Sequence, residues 1–141
     1  MSEVQGDTRM EAVGFDATVG LRFEAVTADE VRASLTITPS LQQPYGIVHG
    51  GVYCSVVETT ASAGGAVWFG ERGNVVGTSN HTNLLRSARD GAQLQAVATP
   101  VHRGRTSQLW AVEVRDEQDK LIATGQLRVA NLPAQEGSAA S

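Results

Sequence analysis

Only one stretch of this chain has the composition and spacing of a long helix, and it lies among segments patterned as strands. From Gly50 to about Phe69 the sequence is GGVYCSVVETTASAGGAVWF, free of proline and rich in small residues. Before it, LRFEAVTADEVRASLTITPS holds two extended runs around a turn at Thr27–Asp29. In the second run Val31, Ala33, Leu35 and Ile37 alternate with Arg32, Ser34, Thr36 and Thr38, and Pro39 ends it. That period of two is the strand signature. After the helix come NVVGTSNHTNLLRSA, AQLQAVATPVHRG, TSQLWAVEVRDE and LIATGQLRVANL. The first is entered through Gly73, the second and third are linked near Gly104, and EQDK forms a hairpin turn before the last. This order predicts an α+β fold, one long central helix wrapped by a curved, mainly antiparallel sheet of five to six strands. One helix cannot cover such a sheet and its edges, so association between subunits is expected.

Composition narrows the function classes. With 141 residues, of which 41% are hydrophobic, the chain carries the core of one ordinary domain. The domain is expected at 15–132, between a flexible segment at 1–14 and a small, polar, disordered tail at 133–141. A net charge of −4 with scattered basic residues leaves no electrostatic footprint for nucleic acid. Cys54 is the only cysteine, which excludes an internal disulfide, and the three histidines are not in ligand spacing with carboxylates or the cysteine. No metal site is expected. No apolar run reaches the roughly 18 residues of a membrane span. The polar, acidic N-terminus has no signal-peptide core. The expectation is a cytoplasmic protein with neither membrane nor nucleic acid as partner.

Placed at about 100° per residue, Val52, Val56, Thr59, Ala63, Ala66 and Val67 share the helix face expected to pack on the sheet. Glu58 lies off that face, and its helical neighbours Cys54, Ser55, Ala61, Ser62 and Gly65 are all small. A solvated face ordinarily carries Lys, Arg, Glu and Gln. Here a lone carboxylate stands among residues that let another backbone or a ligand come close. Taken singly, a mid-helix Glu is a surface residue, a Gly-Gly pair is a turn, and His49 is a hydrogen-bonded structural residue. Together they carry more. The helix start at Gly50 offers unpaired N–H groups and a partial positive charge, and a glycine there admits a substrate carbonyl. That is an oxyanion site in the making. Gly50 and Glu58 are eight residues apart, which is about 12 Å along the axis. They cannot act on one carbonyl within a subunit. Two such helices lying antiparallel across a two-fold axis would bring Gly50 of one chain beside Glu58 of the other, a composite site at an isologous dimer interface.

Gln43, His49, Gly50, Gly51, Glu58 and Ser62, at these spacings and in this strand order, resemble the motif of the hotdog-fold acyl-CoA thioesterases of the phenylacetate-pathway and hydroxybenzoyl-CoA thioesterase type. The likeness covers roughly residues 15 to 132. GTSNHTNLLRSAR resembles the family's central strand, and ATPVHRGRTSQLWAVEVRDEQDKLIATGQLRV its last three strands. The resemblance implies that the Gly50 amide, next to Gly51, polarises the thioester carbonyl. Glu58 of the opposite subunit then acts as nucleophile, through a mixed anhydride, or as general base on water. Gln43 orients the carbonyl or the water, Ser62 holds water or the product carboxylate, and His49 fixes the loop. Some relatives carry a histidine-containing segment on the central strand. The matching stretch here is Asn83, Leu84, Leu85 and Arg86, with His81 out of register, which implies a more apolar wall.

The same resemblance places the CoA nucleotide near a Gly-Arg turn, here His102, Arg103, Gly104 and Arg105, with Arg86 and Arg89 as further candidates for its phosphates. CoA is part of the substrate, and no separate cofactor is implied. A homodimer is expected, and a tetramer of two back-to-back dimers is implied by the family. The acyl group stays open between aromatic and medium- or long-chain. Two other readings compete. An acyl-thioester dehydratase or hydratase would need a Phe-Pro-Gly-type loop or an Asp/His pair, and YGIVHGG lacks that loop. A non-catalytic acyl-CoA-binding module of the same fold would leave Glu58 without a purpose.

Overall fold

The computed structural model describes residues 10–135. The parts of the expected flexible segment and tail before and after these lie outside the described residues. The chain begins with a short helix, α1 (Phe15–Val19), followed by β1 (Arg22–Val26) and β2 (Val31–Thr36). The long helix α2 (Gly50–Phe69) comes next, then β3 (Gly73–Leu84), β4 (Gln93–Arg103), β5 (Ser107–Asp116) and β6 (Leu121–Pro133). Single turns of 3-10 helix at Pro39–Leu41 and Gly70–Arg72 complete it. The six strands form one sheet in the order β1-β2-β4-β5-β6-β3, and every pairing is antiparallel. β3, the first strand after the helix, therefore lies at an edge, beside the last strand. β6 extends through Pro133, which pairs with Gly73 at the start of β3, so the sheet includes the first residue assigned above to the tail.

The local signals explain most of this. Thr27 makes the β1–β2 turn: its Oγ1 accepts from the amides of Asp29 and Glu30 and donates to Glu30 O. Val31, Ala33, Leu35 and Ile37 are all fully buried, as their alternation demands. Pro100 sits in β4 beyond its last pairing with β2, at Ala98, and next to a bulge, where no neighbour needs its missing N–H. Asp116 closes the β5–β6 hairpin by accepting from the amides of Gln118 and Lys120.

The face that α2 presents to the sheet departs from expectation. Val52, Val56 and Ala63 are buried as expected, but so are Tyr53, Val57, Thr60, Ala61, Gly64 and Gly65, whereas Ala66 and Val67 are exposed and Thr59 is half-buried. The helix is apolar or small nearly all round, so periodicity leaves its rotation loosely set. Tertiary packing decides it. Trp110, fully buried in β5, lies so close under Gly64 that a Cβ there would stand 2.5 Å from its ring. Trp110 Nε1 donates to Gln108 Oε1 at 2.8 Å, while Gln108 Nε2 donates to Gly65 O at 3.2 Å and to Asn131 Oδ1 at 2.8 Å. Asn131 Nδ2 in turn donates to the Gly104 and Arg105 carbonyls. This buried polar chain fastens the C-terminal half of α2 to β5, β6 and the Gly104 turn. No helix among the described residues is long and apolar enough to cross a membrane.

Candidate active site

The first turn of α2 has more amides than acceptors, as every helix does. His49 is its N-cap. His49 Nδ1 accepts from Gly51 N at 2.8 Å, and His49 O accepts from Val52 N at 2.9 Å. The Gly50 amide has no acceptor among the described residues. His49 caps the Gly51 amide and leaves that of Gly50 without an acceptor among the described residues, at the positive end of the helix. The preceding loop is braced from several sides. His49 N donates to Leu41 O, and Val48 N donates to Ala88 O, both at 2.9 Å. Gln43 sits in a tight turn with Gly46, whose φ is +79°; the Gln43 backbone bonds to Ile47 O and Gly46 N, and its side-chain oxygen accepts from Tyr45 N. Leu84, at the end of β3, leans over Gly50: a Cβ at Gly50 would stand 2.8 Å from Leu84 Cδ1. The apolar wall expected from Leu84 is therefore next to the free amide. Leu85 is also exposed, and Asn83 pairs with Thr124 in the sheet.

Glu58 projects from the same unbroken helix, on the side facing β3. Its Oε1 accepts from Asn80 Nδ2 at 3.3 Å, and Oε2 lies against Gly77, where a Cβ would overlap it and stand 3.2 Å from Cδ. Asn80 is fixed in turn: Nδ2 also donates to Cys54 O at 2.9 Å, and Oδ1 accepts from Thr82 Oγ1 at 2.7 Å. No cation pairs with Glu58 among the described residues. Its carboxylate lines an open groove of about 520 Å³ with Phe15, Ser55 and Asn80. Ser62, one turn further along α2, is half-buried and has no hydrogen-bond partner among the described residues.

The structure thus gathers Gln43, His49, Gly50, Gly51 and Leu84 at one end of α2 and puts Glu58 and Ser62 two turns and more along it. The Arg103–Gly104–Arg105 turn is not with them. It is tied to the other end of the helix through Asn131 and Gln108. Arg103 is engaged within the chain: it donates to Ala28 O at 2.7 Å and Asp29 Oδ1 at 3.0 Å, and lies 5.7 Å from the Trp68 ring centre. The side chains of Arg86, Arg89 and Arg105 have no such partner among the described residues. No cluster of three or more His, Cys, Asp or Glu suited to a metal occurs among the described residues.

Two elements of the site are absent from the sequence reading. Asn80 carries no local signal, since only the β3–α2 packing brings it to Glu58. Helix α1 is too short for periodicity to reveal, yet Asp16 Oδ1 accepts from Thr59 Oγ1 at 2.6 Å and binds α1 beside the Glu58 groove.

The profile of the Thioesterase superfamily fits residues 45–123. The chain belongs to the thioesterase superfamily. Like other members it is a thioester hydrolase. The superfamily's hotdog architecture is the one described above. The chain is 32% identical over 126 residues to the 1,4-dihydroxy-2-naphthoyl-CoA hydrolase of Escherichia coli, covering 87% of this chain and 92% of that one. The crystal structure of AziG from S. sahachiroi superposes with a TM-score of 0.85 at 43% identity, over 88% of this chain and 100% of AziG. PaaI of the E. coli phenylacetic acid degradation operon superposes with a TM-score of 0.77, over 85% of each chain, and at 17% identity this is a likeness of fold alone.

Proposed function

We propose that this thioesterase hydrolyses the thioester of an aromatic or medium- to long-chain acyl-CoA to the free acid and CoA. The Gly50 amide acts as oxyanion donor and Glu58 of a partner subunit as the reacting carboxylate. The observation that carries the reading is the unpaired Gly50 N–H, left free because His49 takes up the next amide. An amide so placed stabilises the negative charge that develops on a carbonyl oxygen when its carbon is attacked. Glu58 is eight residues away on the same helix, about 12 Å, so the site needs two chains. β3 supports that arrangement: it is a 12-residue edge strand beside the Glu58 groove, with exposed Val76 and Leu84. Such an edge invites a second copy.

In the general-base route Glu58 takes a proton from water as the oxygen adds to the carbonyl carbon. The tetrahedral oxyanion rests on the Gly50 amide, the C–S bond breaks as the carbonyl re-forms, and the CoA thiolate takes up the proton. In the nucleophilic route the carboxylate oxygen adds instead, the C–S bond breaks to expel CoA thiolate and leave a mixed anhydride of Glu58 and the acyl group, and water cleaves that anhydride to the free acid and the Glu58 carboxylate, its proton going to the thiolate. In this reading Ser62 and Gln43 hold water or the carbonyl. Arg86, Arg89 and Arg105, with no carboxylate partner among the described residues, are the candidate arginines available for CoA phosphates. No cofactor besides the CoA of the substrate takes part, and the reaction belongs to the cytoplasm.

The test is release of free CoA thiol from benzoyl-, hydroxybenzoyl-, phenylacetyl- and hexanoyl- to palmitoyl-CoA, for wild type and Glu58→Gln. A loss of about 10²-fold or more in the variant, with fold and oligomer intact, is the expected outcome. Full turnover in the variant would remove Glu58 from the mechanism. Binding without turnover in the wild type would make the protein an acyl-CoA-binding module.

A further inference from the structure

Helix α1 has no assigned role, and its position is unusual for a five-residue element. Glycines bound it: the N-cap Gly14 has φ +58°, and the C-cap Gly20 is left-handed at φ +88°, with its amide bonded back to Ala17 O and Asp16 O. Val19 is buried and roots it in the core. The Asp16–Thr59 hydrogen bond fastens it to α2 at the residue following Glu58. All of this holds one large side chain in place: Phe15, which is 65% exposed. The helix that carries this ring is anchored at Val19 and Asp16, so Phe15 stays beside α2.

Two grooves meet at that ring. One, of about 520 Å³, contains Glu58. The other, of about 490 Å³, runs between α1 and the N-terminal half of α2, with Val19, Leu41 and Val52 as its apolar wall and His49 and Gly51 at its end. Phe15 and Ser55 line both. The second groove has no Asp, Glu, Lys or Arg in its lining, and its single titratable group, His49, already accepts a hydrogen bond from Gly51 N. It is of ligand-binding size. A charged acyl tail would enter it without a partner, which is strongly unfavourable, whereas an apolar tail would shed water against Phe15, Val19 and Val52.

We infer that α1 is the acyl-selecting wall of the site: the groove under Phe15 takes the neutral, apolar portion of the acyl group, and the Phe15 ring sets how strongly longer or aromatic groups are preferred. The inference rests on the thioesterase reading above and deepens it. The groove is continuous with the one that holds Glu58, which is what commits it to the acyl group rather than to another ligand.

The experiment measures kcat/KM for acetyl- to decanoyl-CoA, benzoyl-CoA and the acid-ended glutaryl-CoA with wild type, Phe15→Ala, Phe15→Trp and Glu58→Gln. Wild type is expected to favour the longer and aromatic esters and to discriminate against glutaryl-CoA. Phe15→Ala should lower the longest and aromatic esters about tenfold relative to the shortest one turned over, the scale on which an apolar pocket discriminates. Phe15→Trp should keep the preference. Since Phe15 is exposed, thermal stability should be unchanged in both. A chain-length profile that is the same in Phe15→Ala as in wild type, with wild type active and Glu58→Gln inactive, would overturn this inference and leave the thioesterase reading standing. Equal use of glutaryl- and hexanoyl-CoA by the wild type would also overturn it. No turnover of any ester by the wild type would remove both.

Discussion

Gly77→Ala offers a way to displace the reacting carboxylate without altering it. Gly77 lies in β3 across from Glu58, and a Cβ built there overlaps Glu58 Oε2 and stands 3.2 Å from Cδ. To regain the ~3.5 Å at which non-bonded atoms stop repelling, the carboxylate has to move by about 1 Å. It is free to do so, because Glu58 is exposed and its only side-chain hydrogen bond among the described residues, to Asn80, is 3.3 Å long. The fold should not suffer. Alanine in a strand is better than glycine by roughly 0.5–1 kcal/mol, and the flexible end of a Glu side chain yields easily. Activity should suffer, since a misplacement of about 1 Å at a reacting group costs on the order of 10²-fold, near 2.7 kcal/mol of barrier. The assay is kcat/KM for the best ester of the panel, run beside thermal melts and a mass measurement of the oligomer. The expected pattern is a variant as stable and as associated as wild type but about a hundredfold slower. In a Glu58→Gln background Gly77→Ala should add little, because both act on one group. Full activity in Gly77→Ala, or a loss that tracks unfolding, would refute the placement of Glu58 as the reacting carboxylate.

Other outcomes follow from the same geometry. Gly50→Pro removes the free amide at a position where proline suits a helix start, and should slow turnover by about 10²–10³-fold. An equal mixture with Glu58→Ala, after subunit exchange, should recover about a quarter of wild-type activity through hybrid dimers that each hold one complete site, read as CoA release over time. Gln108→Leu leaves the Trp110 N–H and Gly65 carbonyl without their partner inside the core and should destabilise by about 2–4 kcal/mol in urea melts. Tyr53 has a buried hydroxyl with no partner among the described residues, and burial pushes its phenol up from 10.0 to about 12. Its contribution to stability is present below pH 10 and is lost as pH rises through about 12. Tyr53→Phe should therefore be neutral or stabilising at pH 7 and lose less stability in that alkaline window, measured by thermal melts across pH.

The sequence made legible whatever depends on neighbours along the chain. Val31 to Ile37 alternate because β2 has one buried face, and the His49–Gly51 start of α2 is visible because capping is local. The His49, Gly50 and Glu58 spacing survives intact, since a helix without proline fixes it. What depends on packing between distant elements was not legible. The buried face of α2 was legible only in part, at Val52, Val56 and Ala63, because a helix of small and apolar residues has no strong polarity, and its rotation is set by Trp110 meeting Gly64. Asn80 joins Glu58 across 22 positions. Phe15 carries no local signal, since a single turn of helix has no period to read.

The buried chain from Trp110 through Gln108 and Asn131 to the Gly104 turn gives α2 two unequal ends. At its C-terminal half, glycine, tryptophan and amide groups fit one another with little slack, and most replacements there would be felt as lower yield of folded protein. At its N-terminal half the neighbours include Leu84 and Phe15, side chains more than half exposed that can change size or shape without disturbing the core. A library of substitutions across the chain should therefore separate into two populations, one altering abundance and the other altering rate or substrate choice. New acyl preferences are within reach by single steps that leave folding untouched.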